Sequence, residues 1–246
     1  MYKEKEADVK YLKSPLNYTG GKFKLLKQIL PLFPEKIETF YDLFAGGCNV
    51  ALNVKADRIV CNDILTQLIN LYEAFKENTV SDVYAHIENR IKEYQLTKEN
   101  KDGYLELRKY YNENKEPLDL FVLICYAFNN SIRFNSKGGF NIPFGKNRSS
   151  YNKSIRNRLE HFLQSIVNIE FENKSFMDFE STQFKEDDFV YIDPPYLITV
   201  ANYNENDGWC EDREKNYIIF LMCLIKKELD LPYQMFLNTK GKAMIF

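Results

Sequence analysis

The spacing of apolar residues divides the chain into short buried strands and longer one-sided helices. Phe23, Leu26, Ile29 and Leu30 recur at helical spacing after the polar loop Ser14–Lys22, and Pro31 and Pro34 close that helix. Ile37–Asp42 reads as a strand that runs into the glycine turn Gly46-Gly47 and then a short helix through Ala51, Leu52 and Val54. A second strand covers Arg58–Asp63. From Ile64 to about Ser131 the period is helical for far longer than a crossover between strands requires. Leu65, Leu68, Ile69, Tyr72 and Phe75 form one stripe, Val83, Ile87 and Ile91 a second, and Tyr104, Leu107, Tyr110 and Tyr111 a third. Phe121–Phe128 is apolar on all sides and predicts a buried helix. Tyr151 to about Ile166 is helical again, and Asn168–Phe176 alternates as a third strand. Val190–Asp193 is the fourth strand, Glu211–Leu229 a helix and Gln234–Asn238 a fifth strand.

Strands that alternate with helices predict an α/β fold around a parallel sheet. The long helical block then reads as an insertion at 67–165 in a core made of 14–66 and 166–246.

Composition narrows the possible partners. The formal net charge is −2, so the molecule as a whole is no general polyanion binder, and any nucleic-acid surface must come from segregated charge. Such segregation exists. From Arg133 to Arg158 there are seven basic residues (Arg133, Lys137, Lys146, Arg148, Lys153, Arg156 and Arg158) and no acidic one. Gly138–Gly145 reads as a hairpin-like loop with aromatics near its tip, where basic groups would meet phosphates and the tip would read or wedge between bases. A solvated charged face is the plainer alternative. The five cysteines are scattered without paired spacing, which points to reduced thiols. Only His86 and His161 are available as histidines, and both fall on helical stretches as surface or packing positions. Histidine metal sites and serine–histidine catalysis are therefore not expected, nor is any metal. The charged N-terminus has no signal-peptide core, and no stretch approaches the ~20 apolar residues of a membrane span. A soluble cytoplasmic protein is the expectation.

The candidate chemistry collects at strand ends. Tyr191-Ile192-Asp193-Pro194-Pro195-Tyr196 ends an apolar run in a carboxylate, a rigid turn and a ring. In an open α/β sheet, ligands bind at such ends. An acid, a carbonyl and a ring suit a flat, amino-bearing ring such as a nucleobase, although a strand-ending turn with a capping Asp is equally compatible with Asp-Pro alone. The glycines after Asp42 allow close cofactor approach. Asp63 follows them by roughly 20 residues, the place of a ribose-binding acid in nucleotide-binding α/β folds. The loop Tyr18-Thr19-Gly20-Gly21-Lys22 has two glycines before a helix but lacks the spacing of a P-loop.

Taken in order, Leu16–Lys22, Asp42–Asn53, Cys61–Ile64, Asn130–Lys146 and Phe189–Tyr203 resemble the Dam-type DNA adenine-N6 methyltransferases, especially those of T-even bacteriophages. The resemblance spans about Leu16 to about Leu229. It implies a Rossmann-like, S-adenosylmethionine-dependent methyltransferase core with an inserted helical target-recognition subdomain. It implies a cofactor against Tyr18, Gly20, Lys22, Asp42, Phe44, Gly46, Asp63, Ser175, Phe176 and Asp193. Asp193, Pro194 and Tyr196 become the catalytic set, with the base rotated out of the duplex and stacked on Tyr196. Ser131, Arg133, Lys137, Pro143, Phe144, Lys146 and Arg148 become the DNA contacts, Arg133 on a guanine and Pro143 with Phe144 as a wedge. The family suggests GATC in duplex DNA as target and a monomer or weak dimer on DNA, in a bacterial cell or a phage-infected host. Cytosine C5 chemistry is disfavoured, because no cysteine here has a proline neighbour.

The C-terminal segment departs from the family pattern. After the fifth strand the chain ends at Phe246, where relatives carry a further strand pair, so a truncated, inactive relative is an alternative expectation. An RNA adenine-N6 methyltransferase is another.

Overall fold

The computed structural model describes residues 10–195, 212–213 and 215–221. Within them, β1 (Thr39–Asp42), β2 (Arg58–Asn62), β3 (Ile169–Glu172) and β4 (Phe189–Tyr191) form one parallel sheet in the order β3-β2-β1-β4. The order reverses at β1, with β2 and then β3 laid down on one side of it and β4 on the other. That reversal opens a crevice at the C-terminal ends of the strands. This is the expected α/β architecture.

Alternation along the strands supplies two hydrophobic faces. Phe40 packs with Phe33, Phe189 and Tyr191 on one face, with the Phe33 and Phe189 rings 4.6 Å apart. Tyr41, Leu43, Val190 and Ile192 turn to the other, against Phe176, Phe179, Phe184 and the helical residues Tyr217 and Phe220. Burial on both faces is what a parallel sheet requires.

Among the described residues the helices include α1 (Leu26–Ile29), α2 (Thr66–Glu77), α3 (Val80–Glu93), α4 (Lys101–Asn114), α5 (Pro117–Tyr126) and α6 (Lys153–Ser165). Pro117 opens α5, whose residues Leu118–Tyr126 are all buried, and α5 packs on α2, α3 and α4. Its one buried charge, Asp119, is answered by Arg90 Nε at 2.8 Å and His86 Nε2 at 2.7 Å from α3. One continuous cluster of buried side chains runs from the sheet through α2, α5 and α6. Cys48, Cys61 and Cys125 are free and buried. No helix among the described residues is long and apolar enough to cross a membrane.

Several elements differ from the periodicity. The first helix is broken into a 3-10 turn, α1 and a second 3-10 turn at Leu30–Leu32, where Pro31 cannot donate to the ladder. The stretch through Ala51 and Val54 is a series of turns instead of a helix. Cys48 there has φ +57°, and Asn49 and Asn53 spend their side chains on Ser14 and Leu12. The buried helix ends at Tyr126, which leaves Phe128 outside it. Lys153, Arg156 and Arg158 belong to α6, so the basic loop stops short of them. The fifth strand expected at Gln234–Asn238, most of the helix expected at Glu211–Leu229 and the C-terminal segment on which the expectation of a truncated relative rested lie outside the described residues.

Gly103 gives a test of the packing. Helix propensity favours Gly103→Ala, but a Cβ there would lie 2.0 Å from the Tyr94 carbonyl oxygen. The substitution should lower stability by about 1–3 kcal/mol in thermal or urea unfolding, as expected for overpacking, and a gain in stability would contradict this packing.

Candidate active site

A cavity of about 370 Å³ opens at the C-terminal ends of β1, β2 and β4. Its walls come from Tyr18–Lys22, Asp42–Gly47, Asn62–Leu65 and Lys174–Met177, with Asp193–Pro195 at one side and Arg213 facing it. Every expected cofactor residue therefore lines one cavity, from Tyr18 and Gly20 to Phe176 and Asp193. Asp193 and Pro194 line it too, and Tyr196 lies outside the described residues.

Local chemistry explains why the walls hold their shape. Gly46 has φ +46°, and a Cβ on it would sit 2.9 Å from the Tyr18 ring. Only glycine permits both that conformation and that approach. Asp63 Oδ2 accepts the Gly46 N–H at 3.0 Å and its Oδ1 accepts the Leu65 N–H at 2.9 Å. The carboxylate thus joins the glycine turn to the start of α2, while Tyr72 donates to the Gly46 carbonyl from α2 itself. Ser175 caps its own turn, with Oγ accepting from Met177 N at 3.3 Å. Phe176 is held edge-on by Tyr217 and Phe220.

Some supporting residues were not foreseen from the sequence. Asn62 donates to the Leu43 and Lys174 carbonyls, each at 3.1 Å, and accepts from Lys174 N at 3.0 Å. It ties the ends of three strands together. Asn49 accepts from Ser14 N at 3.1 Å and Asn53 from Leu12 N at 2.7 Å, which fastens the N-terminal segment beside the glycine turn. The available signal was a run of asparagines in otherwise apolar sequence around Gly46-Gly47 and before Asp63.

The electrostatics are asymmetric. Lys22 Nζ lies 2.7 Å from Asp193 Oδ1 and 2.6 Å from Oδ2, and it also donates to the Gly20 carbonyl at 3.2 Å. Asp42 is 2% exposed and its Oδ1 has no hydrogen-bond partner. Burial, and after it the neighbouring Asp193 carboxylate, push the Asp42 carboxyl well above the ordinary range, against the pull of the Phe44 N–H. A buried acceptor without a donor, beside a carboxylate gripped by lysine, suits a ligand that carries its own cationic donor.

The expected DNA residues separate into three groups by exposure. Ser131 and Arg133 are half-buried, while Lys137, Pro143, Lys146 and Arg148 are exposed. Arg133 Nε donates to Asn141 Oδ1 at 2.8 Å. Phe144 is not at a tip. Its ring is buried 5.4 Å from Tyr104, because the loop folds back so that Ala127 and Phe144 bridge. The wedge reading of Phe144 is thereby corrected. The exposed aromatic of this region is Phe128, 43% exposed, with the Arg148 guanidinium 5.7 Å from its centroid. Arg156 and Arg158 turn away from the loop, Arg156 onto Glu88 and the Tyr84 ring and Arg158 onto the Ser14 carbonyl.

Comparison with known proteins shows the family. Residues 18–219 match the model of the D12 class N6 adenine-specific DNA methyltransferases, enzymes that use S-adenosylmethionine as methyl donor. The chain is 47% identical to the type II methyltransferase M.FokI of Planomicrobium okeanokoites, over 94% of this chain and 35% of that protein. It is 40% identical to the modification methylase StsI of Streptococcus sanguinis, over 95% of this chain and 37% of the relative. It is 32% identical to the DNA adenine methylase of Escherichia coli K12, over 76% of this chain and 67% of the relative. The chain thus spans about a third of the length of the first two. With a matched family model that runs from the cavity loop at Tyr18 past the strand end at Asp193, the chain belongs to the D12 class of N6 adenine-specific DNA methyltransferases.

Proposed function

We propose that the chain methylates the N6 amino group of adenine in duplex DNA, with S-adenosylmethionine as donor. The observation that carries this is the Asp193 carboxylate, fixed by Lys22 at the mouth of the cavity with Pro194 next to it. Bound S-adenosylmethionine supplies an electrophilic methyl group. The residues present fit it. Asp42 Oδ1 offers a buried, unpartnered acceptor for its ammonium, Phe44 and Phe176 offer apolar walls, and Asp63 is the candidate for the ribose hydroxyls.

An adenine amino nitrogen is a weak nucleophile because its lone pair is delocalised into the ring. Hydrogen bonds from that amino group to the Asp193 carboxylate and the Pro194 carbonyl would localise the pair. The same acceptors would stabilise the positive charge that develops on nitrogen, and Asp193 can take the proton that leaves. The amino group is out of reach inside the stack, so the base must rotate out, with Tyr196 as its stacking partner. The block 67–165 serves as the target-reading unit in this proposal. We assign the wedge to Phe128, since it is the exposed ring beside a basic side chain. GATC is the target implied by the Dam-type resemblance. The higher identity to M.FokI and StsI (47% and 40%) than to the E. coli adenine methylase (32%) favours a second reading, a modification methylase with a target of its own.

Purified protein given labelled S-adenosylmethionine and plasmid DNA should place methyl groups on adenine N6, and mapping those adenines distinguishes GATC from another site. Asp193→Ala should slow transfer by at least about 100-fold while DNA binding persists. Full activity of that variant, or transfer to RNA but not to duplex DNA, would defeat the proposal.

Phe128→Ala should reduce the fluorescence rise of 2-aminopurine at the target position without lowering the melting temperature. Phe144→Ala should instead cost about 3–5 kcal/mol of stability. An unchanged signal in Phe128→Ala would return the wedge to another residue.

For Asp42, the raised folded-state pKa means that the folded protein holds this proton more tightly than the unfolded chain. Its contribution to stability therefore falls as pH rises from the ordinary Asp range through the raised value. Asp42→Asn removes that dependence. The cofactor-free variant should be more stable than wild type above the raised value, with the difference closing as pH falls to the ordinary Asp range. Cofactor affinity of the wild type should rise with pH over the same window and be weakened in the variant. A parallel pH dependence of the two proteins in calorimetry would contradict the assignment.

A further inference from the structure

We infer that Asn141 is the positioning residue that sets which edge of Arg133 reads a base, and that this edge is specific for guanine. The inference rests on the proposed reading of duplex DNA. Arg133 and Asn141 face each other across the two arms of the loop, where the Asn141 N–H donates to the Arg133 carbonyl at 3.2 Å. The side chain of Arg133 then crosses the same gap. Its Nε donates to Asn141 Oδ1 at 2.8 Å and its Nη2 to the Asn141 carbonyl at 3.3 Å.

The two neighbours of Asn141 are bolted to α4. Asn112 donates to the Phe140 carbonyl at 3.1 Å and accepts the Phe140 N–H at 2.8 Å. Tyr104 Oη and Arg108 Nη1 both donate to the Ile142 carbonyl, at 2.8 and 3.1 Å. Phe140 is itself 1% exposed. The backbone at Asn141 is therefore held on both sides by a helix, and the guanidinium is held by that backbone.

A guanidinium has five N–H donors in a rigid plane. Spending Nε and one Nη2 hydrogen on Asn141 leaves the terminal edge, Nη1 with the other Nη2 hydrogen. Two parallel donors there match the O6 and N7 acceptors of guanine and no other base in the major groove. Part of the rotamer freedom that an unrestrained arginine would lose on docking is already gone. The partner is an amide, so the positive charge that DNA attracts is not neutralised. A carboxylate at the same place would hold the same orientation but cancel that charge.

The test is single-turnover methylation of a short duplex that carries the mapped target, with each guanine replaced in turn by 7-deazaguanine, which lacks the N7 acceptor. Wild type should show one guanine whose replacement slows the reaction about tenfold. Asn141→Asp should bind all these duplexes more weakly yet keep the tenfold ratio. Asn141→Leu should drop the ratio below about threefold, and Asn141→Ser gives the same comparison where the leucine variant does not fold. A full ratio in Asn141→Leu or Asn141→Ser, or its loss in Asn141→Asp, overturns the role of Asn141. A sensitive guanine that persists in Arg133→Ala overturns the base-reading role of Arg133 itself, and the role of Asn141 with it.

Discussion

Three carboxylates, Asp42, Asp63 and Asp193, converge at the C-terminal end of the sheet, and the structure around them is arranged to make that tolerable. The parallel register sets the problem, since Asp42 pairs with Cys61 on one side and with Tyr191 on the other. Strands in that register must end together, and so must the acids that follow them. Each is answered differently. Asp63 takes two backbone N–H groups, Asp193 takes the Lys22 ammonium, and Asp42 takes the Phe44 N–H but keeps Oδ1 unpartnered, so that burial raises its proton affinity. The third answer is incomplete by itself, and a cationic ligand would complete it.

The compensation depends on a long-range assembly. Lys22 reaches Asp193 from the loop Tyr18–Lys22, whose Tyr18 ring lies against Gly46 and whose lead-in is fastened at Leu12 and Ser14 by Asn53 and Asn49. A cavity wall, an ion pair and a strand end therefore stand or fall together. The same frame continues into the helical block. The buried helix α5 joins α2, α3 and α4, α2 touches β3, and α4 carries the loop with Arg133 on its polar face. Rigid elements thus link the cavity to the basic loop through packed side chains, and no linker intervenes among the described residues.

Much of the fold was legible in local sequence. The strand at Asp42, its glycine turn, the acid at Asp63 and the strand end at Asp193 follow from period, glycine chemistry and turn residues, all of which act over a few residues. The glycine turn, Asp63 and Asp193 were legible as ligand positions because ligands in this topology meet the ends of the strands, whereas Tyr18, Phe44, Ser175 and Phe176 came from the family resemblance. Less was legible where a polar side chain bonds far along the chain. Asn62 and Asn49 carry no periodic signal, and their hydrogen bonds exist only once the strands are side by side. The turns at Cys48–Val54 defeated the helical period for the same reason, because asparagine side chains there serve the N-terminal segment.

The aromatics of the basic loop mark the boundary most clearly. The sequence by itself determined the order of the elements, the placing of glycines and acids at strand ends, and the concentration of positive charge after Ser131, because each is a property of neighbours in the chain. Tertiary structure alone decided which ring stays on the surface. Phe144 lies under Tyr104 and Phe128 beneath Arg148, an outcome that reverses the expected exposure of both. Exposure is set by what a folded chain brings against a side chain from elsewhere. So is the orientation of Arg133, which is a basic residue in the sequence and becomes a directed guanidinium only when Asn141 is folded across from it.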